Sequence, residues 1–226
     1  MGALLWCTMT RPDVSYYVAF LCQFMSDPSL EAYEAGLAVL SYLNTTRELG
    51  ITYDGRKRRL LVYTDSSWSK SPKPFHGHAI LYCGAVVSFQ ARKTKILPQS
   101  SAEAESAAYS VAAKDLAFVL NVMGEECLHD EVELPVPIMC DSEAAIATLT
   151  KPGVTQRTRH YESWVLYGRE QYLDKISIPT WVPTRDQLAD IFTKALDKNT
   201  FERMRDSLMN VAGGSISAAL SRIIFK

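Results

Sequence analysis

The sequence contains no long apolar run, no Cys-x-x-Cys pair and no excess of charge of one sign. A membrane-spanning helix needs about 20 mainly apolar residues, whereas Arg11, Pro12 and Asp13 interrupt the apolar N-terminal stretch. Among the 226 residues, 24 Lys and Arg balance 25 Asp and Glu, which is unlike a uniformly basic nucleic-acid coat. We therefore expect a globular protein without membrane contact or export signal, in which any basic surface is local.

The cysteines are few and scattered: Cys7, Cys22, Cys83, Cys127 and Cys140. An odd, scattered set argues against a disulfide scaffold and indicates reduced thiols, as in cytoplasmic or nuclear proteins. His76 and His78 would share one face of a strand, but no cysteine follows at the spacing of a zinc site. We interpret both histidines as core or surface residues.

The hydrophobic pattern predicts two helices first. Apolar residues at helical spacing extend from Thr10 to Met25, with Pro12 near the first turn. A second helical pattern opens at Asp27 and continues to Leu43, with Gly50 just beyond its end. We expect these two helices to form an α-helical hairpin.

From residue 51 the pattern changes to that of strands. Strands are predicted at 51–54, 60–64, 78–83, 85–89, 136–140 and 176–182, and helices at 100–123, 143–149, 160–172, 186–196 and 201–209. From residue 60 to residue 196 the order is therefore βββ-α-β-α-α-β-α. Three meandering strands followed by strands separated by helices indicate an α/β fold, with a mixed sheet covered by helices on both faces.

Four acidic residues lie where predicted elements begin or end. Asp65 and Asp141 each end an apolar strand, Glu105 lies in the first turns of a long helix, and Asp190 lies on a later helix. If the two strands are parallel neighbours, both aspartates emerge at the same carboxyl edge of the sheet. The alternative is that Asp65 and Asp141 only end their strands in turns, as aspartate often does.

Converging carboxylates repel one another, and divalent cations relieve that repulsion. Oxygen ligands suit Mg²⁺, which keeps several waters and accepts phosphate oxygens. Two such ions about 3.5–4 Å apart can activate a water and stabilise the leaving oxygen of a phosphodiester. The pattern therefore favours metal-dependent phosphodiester hydrolysis.

Six segments resemble copia-type LTR retrotransposon polyproteins: TRPDVSY at 10–16, YTDSSW at 63–68, QSSAEAE at 99–105, CDSEAAI at 140–146, RTRH at 157–160 and DQLADIFTK at 186–194. The first is similar to the end of the reverse transcriptase portion, and the others to its ribonuclease H domain. The resemblance implies a ribonuclease H-like five-stranded sheet at 51–210. It also implies a helical remnant of the reverse transcriptase thumb or connection at 1–50, and we expect a weakly ordered tail at 211–226.

The resemblance also implies a function and a site. It implies cleavage of the RNA strand of RNA:DNA hybrids during reverse transcription, in a virus-like particle context, by Asp65, Glu105, Asp141 and Asp190 with two Mg²⁺ ions, for which Mn²⁺ can substitute. Glu103 is better explained as a residue that complements the helix dipole. The upstream polymerase region is the expected partner, since no segment here resembles a polymerase active site.

Substrate contacts are expected from the following residues: Ser66, Trp68, Ser142, Arg92 and Lys93. A second basic cluster, at 56–59, could also neutralise phosphates. Two departures from the family stand out: Glu143 replaces a glutamine, and the loop at 183–186 has no histidine. His160 is an outside candidate for an accessory role.

Two other interpretations stay open. The chain could be a silent or domesticated retroelement fragment that acts as a nucleic-acid-binding or structural module. It could also be another nuclease of the same fold. Integrases lack an acidic residue at the position of Glu105, however, and proofreading exonucleases carry D-x-E on the first strand, where Asp65 is here followed by Ser66 and Ser67.

Overall fold

A computed structural model describes residues 1–68, 74–94, 98–125, 132–151 and 162–211, with 162–164 described by their backbone alone. The helices are α1 (Gly2–Cys7), α2 (Ser15–Leu21), α3 (Leu30–Thr45), α4 (Ser101–Glu125), α5 (Glu143–Thr150), α6 (Glu162–Leu173) and α7 (Lys198–Met209). The strands are β1 (Leu61–Ser66), β2 (Phe75–Tyr82), β3 (Ala85–Lys93), β4 (Val136–Cys140) and β5 (Ser177–Trp181). Each helix described here is too short or too polar to span a bilayer.

The described strands form one five-stranded sheet in the order β3-β2-β1-β4-β5. The β1–β2 and β2–β3 pairs are antiparallel, whereas the β1–β4 and β4–β5 pairs are parallel. This mixed sheet confirms the predicted ribonuclease H-like class. Because β1 and β4 are adjacent and parallel, their carboxyl ends meet at one edge.

Side chains alternate along β1, so each face of the sheet has its own core. Leu61 and Tyr63 pack with Phe192 and Leu208 on one face. On the other face, Val62 packs with α4 and α5 through the apolar cluster that includes Ile80, Leu116, Ile138 and Leu149. The prediction of helices on both faces is therefore confirmed.

The N-terminal hairpin is confirmed, and a buried ion pair holds it together. Arg11 donates to Asp13 at 2.8 Å, and the Tyr42 hydroxyl on α3 donates to the same carboxylate at 2.7 Å. The 3₁₀ turn Pro12–Val14 leads into α2. Helix α1 has no counterpart among the predicted elements. The boundaries proposed at residues 50 and 210 stay predictions.

Two predicted elements are wrong. The segment 51–54 is not a strand: the Thr52 amide donates to the Met209 carbonyl on α7 at 2.9 Å instead of to a neighbouring strand. The segment 186–196 is not an α-helix but two 3₁₀ turns, Thr184–Asp186 and Leu188–Phe192. Gln187 is extended between them (φ −76°, ψ 97°) and its side-chain oxygen accepts from the Ala189 amide at 3.3 Å, which breaks the helix.

Several predictions concern residues outside the described ranges. These are Cys127, the segment 157–160 with His160, and the tail after residue 211.

Gly77 on β2 allows close approach of the segment that carries Asp190. A methyl group there would lie 2.4 Å from the Phe192 Cβ and 3.1 Å from the Gln90 carbonyl. We expect Gly77→Ala to lower the free energy of unfolding by about 1–3 kcal/mol through overpacking. Gly36→Ala is the control, because no atom lies within 4 Å of its added methyl group, and in helix α3 it should stabilise by up to about 1 kcal/mol. If urea unfolding gives the same change in the free energy of unfolding for Gly77→Ala and Gly36→Ala, the prediction is wrong.

Candidate active site

Asp65 and Asp141 lie side by side at the carboxyl edge of the sheet. In the β1–β4 register Val62 pairs with Ile138 and Tyr63 with Met139, which brings Asp65 level with Asp141. Asp65 is only 4% exposed and accepts a hydrogen bond from the Thr193 hydroxyl. Asp141 is half-buried and accepts from the Thr184 hydroxyl at 2.8 Å. The structure thus brings together the two predicted strand-end aspartates.

Glu105 reaches the same edge from the first turns of α4. Its side chain is buried (6% exposed), and Oε1 accepts from the Ser66 amide at 3.3 Å. Oε2 has no hydrogen-bond partner among the described residues. Glu103 instead caps the helix, since it accepts from the Gln99 amide at 2.8 Å and its own amide donates to the Ser100 hydroxyl at 3.2 Å. Its interpretation as a helix-start residue agrees with these contacts.

Asp190 enters the site from the 3₁₀ turn Leu188–Phe192. It is 4% exposed, and Lys194 Nζ lies 2.8 Å from Oδ2. The other oxygen, Oδ1, is buried and has no donor in the part of the chain that the structure describes. Four separate elements therefore supply the four predicted carboxylates.

Burial and mutual repulsion disfavour the charged forms of these acids. Burial, followed by the charges of Asp65 and Asp141, raises the pKa of Glu105 well above its ordinary value. Burial raises the pKa of Asp65, although Lys194 and Thr193 act in the opposite direction. Burial and the neighbouring Asp65 raise the pKa of Asp190 to about 7. The protein alone therefore compensates this cluster incompletely.

The cation nearest to the carboxylates was not assigned a role from the sequence. Burial opposes the charge on Lys194, but Asp65, Asp190 and Asp141 together raise its pKa. Thr193 and Lys194 both belong to the DQLADIFTK segment. The motif therefore contained both residues, but it did not show that their side chains lie against the carboxylates. Cys140, which precedes Asp141, was also missed as part of this site.

Gln187 ties the two central strands together behind the carboxylates. It is fully buried, and its amide donates to the Thr64 carbonyl on β1 at 3.0 Å and to the Met139 carbonyl on β4 at 3.4 Å. Each carbonyl directly precedes a residue at the strand end. Gln187 therefore positions Asp65 and Asp141 relative to each other.

We expect Gln187→Leu to lower the free energy of unfolding by about 1–3 kcal/mol, because it leaves buried carbonyl groups without a donor. The matched control is Gln99→Leu, at an exposed position, which should change stability by no more than about 0.5 kcal/mol. Denaturant unfolding followed by circular dichroism measures both. A neutral Gln187→Leu would show that the bridge does not stabilise the strands.

The five predicted substrate contacts fall in two places. Ser66 adjoins Glu105, Ser142 caps α5 by accepting from the Ala145 amide at 3.2 Å, and Trp68 is 53% exposed just after β1. Arg92 and Lys93 end β3 and line, with Ser66, a groove of about 360 Å³ between α4 and the β2–β3 hairpin. The cluster at 56–59 precedes β1 and so lies at the opposite edge of the sheet.

The strand order and the acidic cluster at the carboxyl edge define the class of this protein, a ribonuclease H-like α/β domain. No family model matches the chain. It is 26% identical over 210 residues to the retrovirus-related Pol polyprotein from transposon TNT 1-94 of Nicotiana tabacum, covering 91% of this chain and 16% of that protein. To the Pol polyprotein from transposon RE1 of Arabidopsis thaliana it is 28% identical over 212 residues, covering 92% and 14%.

Retrovirus-related Pol polyproteins of copia-type transposons are thus homologues of this chain, which spans 14–16% of the length of these two relatives. Among solved structures, it is similar to the N-terminal RNase H domain of a Mycobacterium tuberculosis protein fused to maltose-binding protein. That similarity has a TM-score of 0.44 and 12% identity, covering 60% of this chain and 95% of the other.

Proposed function

We propose that this chain is a metal-dependent endoribonuclease that cleaves the RNA strand of RNA:DNA hybrids during retrotransposon reverse transcription. The observation that carries the proposal is the convergence of Asp65, Glu105, Asp141 and Asp190 from four separate elements. The homology to Pol polyproteins supports the same substrate. We further propose that the chain works beside the polymerase region of such a polyprotein, in the cytoplasm or nucleus.

The residues present fit two Mg²⁺ ions, with Mn²⁺ as a substitute. All four side chains offer carboxylate oxygens, the ligands that hard cations prefer. Two buried oxygens, Glu105 Oε2 and Asp190 Oδ1, have no hydrogen-bond partner among the described residues, as expected of atoms that serve as metal ligands. When bound, the ions would supply an activated water and stabilise the leaving oxygen of the phosphodiester.

The chain's own residues orient the carboxylates for this task. The Thr184 and Thr193 hydroxyls each donate to one oxygen, of Asp141 and Asp65 respectively, and so fix the side-chain rotation. Lys194 offsets part of the negative charge. The Ser66 amide holds Glu105 in place from the adjacent strand. Substrate positioning therefore starts from a prearranged centre.

The groove between α4 and the β2–β3 hairpin is the proposed path of a nucleic-acid backbone. Arg92 and Lys93 would neutralise phosphates there, and the exposed ring of Trp68 would contact the strand near the site. Distinguishing RNA from DNA requires contacts with 2′-hydroxyl groups. We assign these contacts to polar groups at Ser66, at the end of β1, and at Ser142, the N-cap residue of α5, which flank the carboxylates.

We expect the double variant Arg92→Ala/Lys93→Ala to bind hybrids of different sequence more weakly by a similar factor. The slope of log K against log salt should become shallower by about 2, since about one counterion is released for each phosphate contact. Fluorescence anisotropy at several salt concentrations measures this. The matched control is Arg56→Ala/Lys57→Ala at the opposite edge of the sheet. If the slope is unchanged in the groove variant but shallower in the control, the cluster at 56–59 contacts the phosphates and Arg92 and Lys93 do not.

Cleavage of a labelled RNA:DNA hybrid with Mg²⁺ tests the proposal. Wild type should cut the RNA strand and spare duplex DNA, and both EDTA and Asp141→Asn should stop cleavage. The control is Asp174→Asn, at an exposed position at the amino edge of the sheet, which should stay active. If folded wild-type protein binds the hybrid but is as inert as Asp141→Asn, the chain is a binding module and the proposal fails.

A further inference from the structure

A thiol lies inside the acidic cluster and has no part in the proposed hydrolysis. Cys140 is fully buried at the end of β4, directly before Asp141. Its Sγ, one oxygen of Glu105 and one oxygen of Asp141 all lie within 4.8 Å of one another. The Ser142 amide donates to the same sulfur at 3.4 Å and fixes its position.

The alternation of β4 explains why the sulfur sits where it does. Ile138 belongs to the core under α4 and Met139 to the opposite core, so Cys140 faces α4, which carries Glu105. Asp65 shares its face with Tyr63, on the side of Thr193. The cluster therefore has two compositions: oxygen ligands around Asp65 and Asp190, and mixed sulfur and oxygen around Cys140 and Glu105. Asp141 adjoins both parts.

A second observation points to a ligand on the mixed side. Glu105 Oε2 is without a hydrogen-bond partner in the described chain, although its side chain is more than nine-tenths buried. Mg²⁺ binds oxygen and does not use thiolate, whereas Zn²⁺ and Cd²⁺ accept sulfur together with carboxylate. Three ligands of this kind match a tetrahedral zinc site that keeps one open position.

We propose that Glu105, Cys140 and Asp141 form a thiolate–carboxylate site for Zn²⁺, which competes with Mg²⁺ for the two shared carboxylates. With Zn–S distances of about 2.3 Å and Zn–O distances of about 2.0–2.2 Å, neighbouring ligand atoms lie roughly 3.3–3.8 Å apart. The three ligand atoms lie within 4.8 Å of one another here, so small side-chain rotations bring them to these separations. The thiol proton passes to solvent on coordination. Inhibition of cleavage by Zn²⁺ rests on the proposed function, but binding of the ion does not.

Cadmium is the probe, because its thiolate complex absorbs in the ultraviolet. We expect the whole chain, without Mg²⁺, to bind Cd²⁺ with a thiolate-to-metal absorption band that Zn²⁺ abolishes by competition and that excess Mg²⁺ weakens. Cys140→Ser and Cys140→Ala should each lose the band and bind Cd²⁺ at least about 100-fold more weakly. The matched control is Cys83→Ser, in the turn between β2 and β3, which should keep the band.

The outcomes separate this inference from the proposed function. A band that persists in folded Cys140→Ser and Cys140→Ala, or that is absent from wild type, overturns the zinc site even if hybrid cleavage is normal. A band that follows Cys140 in a chain without any cleavage supports the zinc site and overturns the ribonuclease proposal alone. Melting curves of both Cys140 variants show whether they are folded.

Discussion

Asp65→Asn should slow Mg²⁺-dependent hybrid cleavage by at least about 10²–10³-fold, the range expected when one group that supports transition-state charge is removed, and yet raise the melting temperature of the metal-free protein. Both effects have one origin. Asp65 is buried beside other carboxylates, and burial raises its pKa, so its charge costs free energy when no cation is bound. Asparagine removes that cost and removes a metal ligand.

The control variant for Asp65→Asn is Asp174→Asn. Asp174 is exposed after α6, at the edge of the sheet away from the carboxylates, and its replacement should alter neither cleavage nor melting. Cleavage is followed on a labelled hybrid and melting by circular dichroism in EDTA. A variant at Asp65 that is both destabilised and inactive would show that the carboxylate supports the fold and would leave its catalytic role without support.

The second large effect is a loss of metal-free stability as the pH rises from about 4 to 7. Groups whose folded-state pKa lies above the unfolded value stabilise the protein fully below the unfolded pKa, and this contribution disappears as the pH rises through the folded value. Asp190, with a pKa raised to about 7, sets the window between about 4 and 7. Glu105 and Asp65 act in the same direction.

For Asp190 alone, the free energy of unfolding should fall by an amount on the order of a few kcal/mol. In a chain of this size, each kcal/mol lowers the melting temperature by about 2–4 °C. Mg²⁺ should flatten the profile, because it neutralises the same charges. Asp190→Asn should flatten it without Mg²⁺. A melting temperature in EDTA that instead rises from about pH 4 to pH 7 would mean that the carboxylates are already compensated within the protein.

Periodicity predicted the sheet well because its strands are short apolar runs with clear ends. The range 136–140 for β4 is an example, and it placed Asp141 at the strand end. Asp190 was named from the same pattern, but on an α-helix, whereas it lies in a 3₁₀ turn. Gln187, at which the helix breaks, also bonds to Thr64 and Met139, which are 123 and 48 residues away. No local pattern contains such contacts.

The same reason explains why Cys140 and Lys194 were missed as members of the site. Each becomes significant only when α4, β4 and the turn after β5 are folded together. The segment 51–54 shows the opposite error. Its alternation suits a strand, but the Tyr53 hydroxyl donates to the Val86 carbonyl at 2.9 Å and the Thr52 amide bonds to α7, so tertiary contacts override local preference.

The aromatic contacts of the N-terminal hairpin bear on how a shorter protein should be designed. The Tyr16 ring lies 5.2 Å from that of Phe75, and the Tyr42 ring lies 5.7 Å from that of Phe201. Phe75 in turn bonds through its backbone to Ser67, two residues beyond Asp65. Trimming at residue 51 would uncover both phenylalanines and loosen the strand end that carries the first carboxylate, so an expression fragment should begin no later than residue 10.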